Sequence, residues 1–163
     1  MLVRKAELKD LEDLLKIYNY EVLYGISTLD IHPKTIAEWR QWFDAHNIDN
    51  HPLLVAQAEG HVAGYASLSA YREKEAYCST VELSVYVDVS YRSRGIGDML
   101  MKAILDMAKE DERIHMVVSV ITGGNEASIR LHDKYGFTYC GSIHEVGVKF
   151  GKYRDIENYE LRV

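Results

Sequence analysis

The sequence is poor in the residues that build metal sites, disulfide frameworks and membrane spans. Its 163 residues include only two cysteines, Cys78 and Cys140, which give neither a disulfide framework nor a metal-ligand spacing. We expect both thiols to be buried or half-buried. The seven histidines contain no His-x-x-x-His pair, so we expect no bound metal. No apolar run approaches the roughly 20 residues that span a bilayer, which predicts no membrane partner.

Positive charge and targeting signals are scarce as well. The net charge is −6, whereas nucleic-acid-binding proteins usually carry a basic face, so we expect no nucleic-acid partner. The first residues, Met1 to Glu7, lack the apolar stretch of a signal peptide, which predicts a cytoplasmic protein. With 47% apolar and 27% charged residues, the composition is typical of one globular domain covering residues 1–163.

The hydrophobic periodicity predicts strands and helices in one mixed sheet. Apolar residues alternate along 81–87, as in a strand, and recur at helical spacing from Ile96 to Ala108. The order of elements combines antiparallel hairpins with one parallel crossover, which favours an α/β sandwich over a doubly wound sheet. The predicted order is a strand, two helices, three strands, a helix, a strand, a helix and two strands, at 2–4, 10–22, 33–43, 53–56, 62–66, 81–87, 97–109, 116–120, 125–135, 139–149 and 153–161.

The most informative segment is the loop that joins the central strand to the next helix, Tyr91–Gly97 (YRSRGIG). Its glycines let backbone N–H groups converge, the helix N-terminus adds partial positive charge, and the arginines add full charge. The segment therefore predicts a site for a phosphate-bearing ligand. It lacks the third glycine of a dinucleotide fingerprint, and the chain has no Gly-Lys-Ser/Thr of a P-loop.

A third phosphate-binding device matches this loop. Arg92-x-x-Gly95-x-Gly97, with Asn125-x-x-Ser128 on the following helix, resembles the Arg/Gln-x-x-Gly-x-Gly/Ala turn of the GNAT superfamily of N-acetyltransferases. The resemblance implies an acyl-CoA N-acyltransferase fold, with a mixed, mostly antiparallel sheet, splayed parallel strands and about four flanking helices. Segments in the same order along nearly the whole chain are similar to the phosphinothricin acetyltransferase-like branch: Tyr18-Asn19, Ser27-Thr28, Glu38-Trp39, 80–87, 128–137 and 147–155.

The resemblance also implies acetyl-CoA as the co-substrate, without a metal. Backbone groups of Val85–Val87 would pair with the pantetheine as a missing strand would, and the N–H groups from Ser93 to Asp98 would hold the pyrophosphate. Asn125 would contact the cofactor near the pantetheine, and capping of the next helix is its alternative role. The implied cofactor-binding residues are Val85, Tyr86, Val87, Arg92, Ser93, Arg94, Gly95, Ile96, Gly97, Asp98, Asn125 and Ser128.

Three side chains are candidates for proton transfer. Glu82 matches the general-base position of the branch, whereas the strand pattern alone would make it a solvated glutamate. A base is needed because an ammonium nitrogen must lose a proton before it attacks a thioester. Tyr135 matches the general-acid position of many relatives, and His132 is typical of the branch. Their alternatives are structural: an aromatic anchor of the apolar stripe at 127, 131 and 135, and a hydrogen-bonded histidine.

The acceptor is less sharply defined than the donor. Deprotonation at pH 7 costs about 4–5 kcal/mol for a lysine side chain but only about 1.4 kcal/mol for an α-amine, so a single glutamate favours an α-amino acceptor. The branch implies a small amino-acid-like amine of phosphinothricin, methionine sulfoximine or methionine sulfone type, bound by Arg72, Lys74 and Tyr77, and a homodimer. Lys74 stands where the branch tends to have arginine, and a solvated loop is the alternative for residues 72–77.

Two further hypotheses stay open at this point. A protein or peptide N-acetyltransferase would need an open groove at the acceptor end, whereas Trp39, Trp42, Tyr71 and Tyr77 can instead enclose a small pocket. A non-catalytic CoA-binding sensor would keep the phosphate loop and lose the base, so the presence of Glu82 counts against it.

Overall fold

The computed structural model describes residues 1–163 and contains the eleven predicted elements in the predicted order. Four α-helices flank one seven-stranded sheet, which confirms the expected α/β class. Three short 3-10 helices, Leu8–Asp10, Glu75–Tyr77 and Val89–Tyr91, were not predicted. The elements are β1 Leu2–Lys5, α1 Leu11–Tyr24, α2 Ile36–Asp44, β2 Leu53–Ala58, β3 His61–Ala70, β4 Thr80–Val87, α3 Ile96–Glu110, β5 Met116–Thr122, α4 Glu126–Lys134, β6 Thr138–Lys149 and β7 Lys152–Arg162.

The strands follow the order β1-β2-β3-β4-β5-β7-β6 across the sheet. Only β4 and β5 run parallel, and they pair over three residues, from Thr80 opposite Met116 to Glu82 opposite Val118. On its other edge β4 pairs with β3 as far as Val87. The sheet is therefore mixed and mostly antiparallel, and its two parallel strands separate beyond Glu82, as expected.

Apolar side chains pack on both faces of the sheet and form two cores. The larger core joins α3 to β2, β3 and β4, with Leu54, Leu68 and Leu100 among its fully enclosed members. The smaller core joins α1 and α2 to the opposite face, around Leu14 and Tyr65. Because β2 is covered on both faces, its first four residues, 53–56, are a continuous apolar run rather than an alternating one.

The expected burial of the two thiols is wrong. Cys78 and Cys140 are both exposed. Cys78 lies in the turn that ends the Glu75–Tyr77 3-10 helix, and Cys140 lies at a shift in register between β6 and β7. Each cysteine therefore lies at a local irregularity of the backbone that directs its small side chain outward.

Two general features of the fold concern membranes and metals. None of the helices is both long enough and apolar enough to cross a membrane. No group of three or more His, Cys, Asp or Glu side chains is arranged to hold a metal ion.

Candidate active site

A cavity of about 440 Å³, here called the cleft, opens where β4 and β5 stop pairing. Residues 83–87 of β4 form one wall and residues 119–122 of β5 form the other, and the start of α3 and of α4 closes the end. Since β5 pairs with β4 only as far as Glu82, the cleft-facing edge of 83–87 has no strand partner. Its backbone groups can therefore hydrogen-bond an extended ligand lying in the cleft.

The loop before α3 presents backbone N–H groups at the end of the cleft. Ser93 and Gly95 both have positive φ, 60° and 78°, a conformation that turns successive N–H groups toward one point. Gly95 is the N-cap of α3, so the first turn of this 15-residue helix also points unpaired N–H groups at the cleft. Gly97 lines the cleft in that turn, and the missing side chain leaves room beside Leu131 and Val87.

Eleven of the twelve predicted cofactor-binding residues line the cleft, and Arg94 is the exception. The Arg94 guanidinium lies 5.2 Å from the centre of the Tyr91 ring instead. Arg92 lines the cleft, but its guanidinium is directed to α1, where it contacts the Glu21 carboxylate. Arg92 therefore holds the loop against α1, and the groups that the loop presents to the cleft are its backbone amides.

Glu21 also lines the cleft, although it was not predicted as a site residue. Its side chain is only 5% exposed, and its carboxylate accepts a weak hydrogen bond of 3.4 Å from the Ser27 N–H. Glu21 lies three and seven residues after Tyr18 and Leu14, on the buried face of α1. A carboxylate at helical spacing within an apolar face was the available signal, because a buried charge needs a partner.

Asn125 and Ser128 lie together at the start of α4. The Asn125 side-chain oxygen accepts a hydrogen bond of 3.3 Å from the Ser128 N–H, so Asn125 does cap the helix. The Asn125 amide also donates to the Ser27 hydroxyl across the cleft, at 3.4 Å. Capping thus fixes the orientation of a side chain that faces the cleft.

Glu82 is half-buried on the strand face that also carries Ser84 and Tyr86. Burial raises the pKa of the Glu82 carboxyl, and no hydrogen bond or cation offsets that rise. Glu82 does not line the cleft itself, but Ser84, two residues along the same face, does. The carboxylate is therefore an unpaired base near the point where the parallel strands separate.

His132 lies in the wall of the cleft with both ring nitrogens bonded. Nδ1 is 2.7 Å from the Ser128 carbonyl oxygen, so it carries the proton and donates; Nε2 accepts from the Ser119 hydroxyl at 2.8 Å. Burial lowers the pKa of the His132 imidazole, which keeps it neutral at pH 7. These contacts tie α4 to β5.

Tyr135 does not line the cleft. Its hydroxyl donates to the Asp98 backbone carbonyl and carboxylate, each at 3.0 Å. Burial and the hydrogen bond to Asp98 raise the pKa of Tyr135 to about 12. The structure therefore gives Tyr135 a link between α4 and the start of α3 and does not bring it together with Glu82.

A second cavity of about 410 Å³, here called the aromatic cavity, lies on the α1 and α2 side of the sheet. Ser84 and Tyr86 line both this cavity and the cleft. Its floor is a row of cross-strand pairs on β3 and β4, Tyr65 with Tyr86 and Ser67 with Ser84, which continues to Ser69 with Glu82. The other walls are Tyr18, Trp39 and Trp42, with Asp30, Lys34 and Glu38.

The expected acceptor-binding residues lie outside both cavities. Arg72 and Lys74 are exposed in the segment between β3 and β4. The Arg72 guanidinium lies over the rings of Tyr71 and Tyr77, at 4.8 and 5.6 Å from their centres. Of the four large aromatic residues named in the sequence analysis, Trp39 and Trp42 line the aromatic cavity, and Tyr71 and Tyr77 do not.

A sheet that splits beside a strand, glycine loop and helix N-terminus is the architecture of a CoA-dependent acyltransferase. The model of the acetyltransferase (GNAT) family matches residues 10–137. The chain therefore belongs to the GNAT acetyltransferase family and is an N-acetyltransferase, as the resemblance implied.

Relatives cover the full chain. An L-methionine sulfoximine/L-methionine sulfone acetyltransferase of Pseudomonas paraeruginosa is 38% identical, over 99% of this chain and 94% of its own. The crystal structure of a ribosomal-protein-alanine N-acetyltransferase from Brucella melitensis has a TM-score of 0.95 and 37% identity, covering 100% of both chains. A phosphinothricin acetyltransferase from Sinorhizobium meliloti in complex with AcCoA has a TM-score of 0.94 and 31% identity, over 99% of this chain and 88% of its own.

Proposed function

We propose that this enzyme transfers the acetyl group of acetyl-CoA to the α-amine of a small amino-acid-like substrate, with Glu82 as the general base. The observation that carries the proposal is the meeting of the two cavities at Ser84 and Tyr86, next to Glu82 on the same strand face. A donor in the cleft and an acceptor in the aromatic cavity would meet beside the one carboxylate of that face.

The cleft fits acetyl-CoA as the donor, which supplies a thioester-activated acetyl group. The unpaired edge of residues 83–87 would bond the pantetheine amides. The N–H groups of the loop and of the first turn of α3 would hold the pyrophosphate. A backbone N–H from Val85–Val87 would stabilise the negative charge that develops on the acetyl oxygen.

Glu82 would take the proton that the acceptor ammonium must lose. Its raised pKa makes it a stronger base than an exposed glutamate, and at pH 7 an α-amine needs little help, about 1.4 kcal/mol. The departing thiolate requires a proton, and neither of the two predicted donors is free to give one. The hydroxyl of Tyr135 is committed to Asp98 and the ring of His132 is neutral and fully bonded, which leaves water as the simplest source.

The size and the aromatic walls of the aromatic cavity support a small acceptor. Trp39 and Trp42 stack with ring centres 4.3 Å apart, and Trp39 stacks on Tyr18 at 4.5 Å, so the cavity has rigid walls. The names of the Pseudomonas and Sinorhizobium relatives support methionine sulfoximine, methionine sulfone and phosphinothricin as acceptors. The name of the Brucella protein makes a protein α-amine the second candidate.

We further propose that the enzyme is a homodimer that uses the edge strand β6. This strand pairs with β7 on one side only, and an exposed edge is a template for pairing with another chain. This strand, the turn after it and the start of β7 carry large apolar side chains that are at least half exposed: Ile143, Val146, Val148, Phe150 and Tyr153. Two further expectations stay predictions. One is that Arg72, Lys74 and Tyr77 contact the acceptor, and the other is a cytoplasmic location.

A direct assay separates the candidate acceptors. Acetyl-CoA consumption would be followed with methionine sulfoximine, methionine sulfone, phosphinothricin, ordinary amino acids, polyamines and an alanine-first peptide. We expect turnover with the sulfoximine, sulfone or phosphinothricin compounds at a kcat/KM at least ten times that of the peptide. A preference for the peptide would overturn the small-molecule acceptor, and binding of acetyl-CoA without turnover of any amine would favour a sensor.

A further inference from the structure

A buried lysine near the C-terminus has no part in the chemistry described above. Lys149, the last residue of β6, is only 2% exposed, although lysine side chains are almost never fully buried without a partner. No carboxylate lies within ion-pair distance of its ammonium group. Its Nζ instead donates to two backbone carbonyls, of Glu21 at 3.0 Å and of Thr28 at 2.8 Å, and lies 5.2 Å from the centre of the Phe150 ring.

These two carbonyls belong to Glu21, in the last turn of α1, and to Thr28, within residues 25–30, here called the pinned segment. The Glu21 carbonyl belongs to the last turn of α1, which has no basic residue of its own. A positive charge at a helix C-terminus interacts favourably with the helix dipole, and here Lys149 supplies it from a strand that lies 128 residues further along the chain. The Thr28 carbonyl follows the turn that leaves the helix. The Lys149 ammonium group thus hydrogen-bonds both ends of the turn that follows α1.

The pinned segment forms part of the wall of both cavities. Ser27 lines the cleft; its carbonyl accepts from the Tyr86 hydroxyl at 3.5 Å, and its hydroxyl accepts from the Asn125 amide. Thr28 bonds the Tyr18 hydroxyl at 3.0 Å, and Tyr18 lines the aromatic cavity with Asp30. Displacement of this segment would therefore move groups at the donor and the acceptor side together.

A second contact shows that the segment packs against β6. Leu29 approaches Gly147, two residues before Lys149 on the same strand face, so closely that a Cβ at position 147 would lie 3.1 Å from the Leu29 side chain. The Gly147-x-Lys149 pair thus combines a close approach with a buried cation. Strand pairing within the β6–β7 hairpin requires neither the close approach at Gly147 nor the buried ammonium group of Lys149.

We propose that Lys149 is a positioning residue for both substrates, which it aligns by fixing residues 25–30 between the cleft and the aromatic cavity. The inference rests on the proposed function for the assignment of the two cavities to donor and acceptor. It predicts that loss of the ammonium group weakens both binding steps while the rest of the fold persists.

The test compares Lys149→Met and Lys149→Arg with Lys109→Met, an exposed lysine near the end of α3, as the matched control. We expect Lys149→Met to raise the KM of the acceptor and of acetyl-CoA at least fivefold each and to lower kcat/KM at least tenfold. Lys149→Arg, which keeps the charge, should recover part of the loss, and the control should match the wild type. A lower Tm with unchanged KM values at 25 °C would show that Lys149 is merely structural and would overturn the proposal.

Hydrogen–deuterium exchange gives a readout that needs neither turnover nor a known acceptor. In the free wild-type enzyme we expect the amides of residues 25–30 to exchange at least ten times more slowly than those of the exposed residues 72–75. In Lys149→Met they should lose that protection while α3 keeps its own. Equal exchange of the two segments in the wild type would overturn the proposal even where the variant fails to fold. Absence of turnover with every amine, alongside the expected exchange, would count against the proposed function only.

Discussion

At the scale of single residues, burial decides which side chain can accept a proton. Burial raises the pKa of the Glu82 carboxyl and lowers that of the His132 imidazole. The first change makes an unpaired carboxylate more basic, and the second keeps the histidine neutral with both nitrogens bonded. Tyr135, with a pKa of about 12, is a weaker acid than an ordinary tyrosine. Of the three predicted proton-transfer residues, the surroundings favour Glu82 alone for chemistry.

Glu82→Gln is expected to lower kcat at pH 7 by about 10–100-fold, between the roughly tenfold cost of deprotonating an α-amine without help and the 10²-fold lower bound typical of general-base catalysis. The rate should recover partly toward pH 9–10, because an α-amine then loses its proton without help. The affinity for acetyl-CoA should change little, since Glu82 lies outside the cleft wall. Steady-state kinetics against pH measure this, with Glu160→Gln, an exposed strand glutamate, as the control. Unchanged rates at neutral pH would remove Glu82 as the base.

The same substitution should raise stability in a pH-dependent way. The folded pKa of Glu82 lies above its unfolded value near 4.5, so the unfolded state loses the proton first as the pH rises. The glutamate therefore costs stability once the pH has passed its folded pKa and costs nothing at pH 4. Thermal unfolding of Glu82→Gln should show a Tm about 1–3 °C above wild type at pH 8, with the difference vanishing at pH 4.

Arg92 and Glu21 are expected to act as a pair. Arg92→Ala should destabilise the fold by about 1–2 kcal/mol, because it leaves a buried carboxylate without its cation. Glu21→Gln in the same chain should restore part of that loss, since a neutral amide needs no counter-charge. Urea unfolding of the two single variants and the double variant forms a double-mutant cycle. Strictly additive losses would mean that the two side chains do not interact.

At the scale of elements, the turn between β4 and α3 contains two glycines, and replacing them with alanine is expected to affect stability in opposite directions. Gly95 has φ near 78°, a left-handed conformation that costs a residue with a Cβ about 1–2 kcal/mol. Gly97 lies inside the first turn of the helix, where alanine is favoured over glycine by about 1 kcal/mol. The added methyl would make only ordinary contacts, 3.6 Å to Leu131 and 3.8 Å to Val87.

Alanine at these two positions should therefore change stability in opposite directions. Gly95→Ala should lower the free energy of unfolding by about 1 kcal/mol, whereas Gly97→Ala should raise it by up to about 1 kcal/mol. Chemical denaturation of both variants measures the difference, and each is the control of the other.

A bulky side chain in this loop should affect cofactor binding. Gly95→Trp should abolish acetyl-CoA binding, as measured by calorimetry. Full binding by this variant would contradict the assignment of the loop to the cofactor.

At the scale of the whole molecule, two buried histidines each join a helix to a strand of the sheet. His132 ties α4 to β5, and His46, just after α2, bonds the Trp42 carbonyl and the Ser69 hydroxyl of β3 at 2.7 and 2.8 Å. Burial lowers the pKa of both imidazoles. Because the folded values lie below 6.5, the unfolded chain binds protons first as the pH falls, so stability is lost from about pH 7 downward.

We expect the Tm to fall between pH 7.5 and pH 5.5, by about 2–4 °C for each kcal/mol lost. The double variant His46→Asn/His132→Asn should have a lower Tm at pH 7.5 and a flatter pH dependence. His61→Asn, at an exposed histidine, serves as the control and should keep the wild-type slope. The raised pKa of Glu82 acts in the opposite direction, so a slope that is steeper or unchanged in Glu82→Gln and lost in the double variant would assign the effect to the histidines.

The dimer belongs to the same scale. Val146→Asp and Val148→Asp place charges on the exposed edge strand β6 and should yield a monomer by light scattering, whereas Ile48→Asp, at an equally exposed apolar residue outside that strand, should leave the oligomeric state unchanged. Identical masses for all three variants and the wild type would contradict an interface on β6.

The sequence by itself determined the elements and the nature of the donor site. The alternation at 81–87, the glycine loop and the apolar face of α3 are contiguous, and local periodicity and φ preference are properties of neighbouring residues. The position of Asn125 as a cap and the order of all eleven elements follow from the same kind of signal. Eleven of the twelve residues predicted to bind the cofactor accordingly line the cleft, and their contacts with the cofactor stay predictions.

Only the tertiary structure decided how those parts meet. The pairing of Arg92 with Glu21 spans 71 residues, and that of Lys149 with Thr28 spans 121; no periodic pattern records such a contact, because it depends on how helices and strands pack. The same holds for the aromatic cavity, which is assembled from α1, α2, β3 and β4, and for Tyr135, whose hydroxyl bonds Asp98 instead of facing the cleft. Local sequence specifies which elements form, and their packing specifies which side chains share a site.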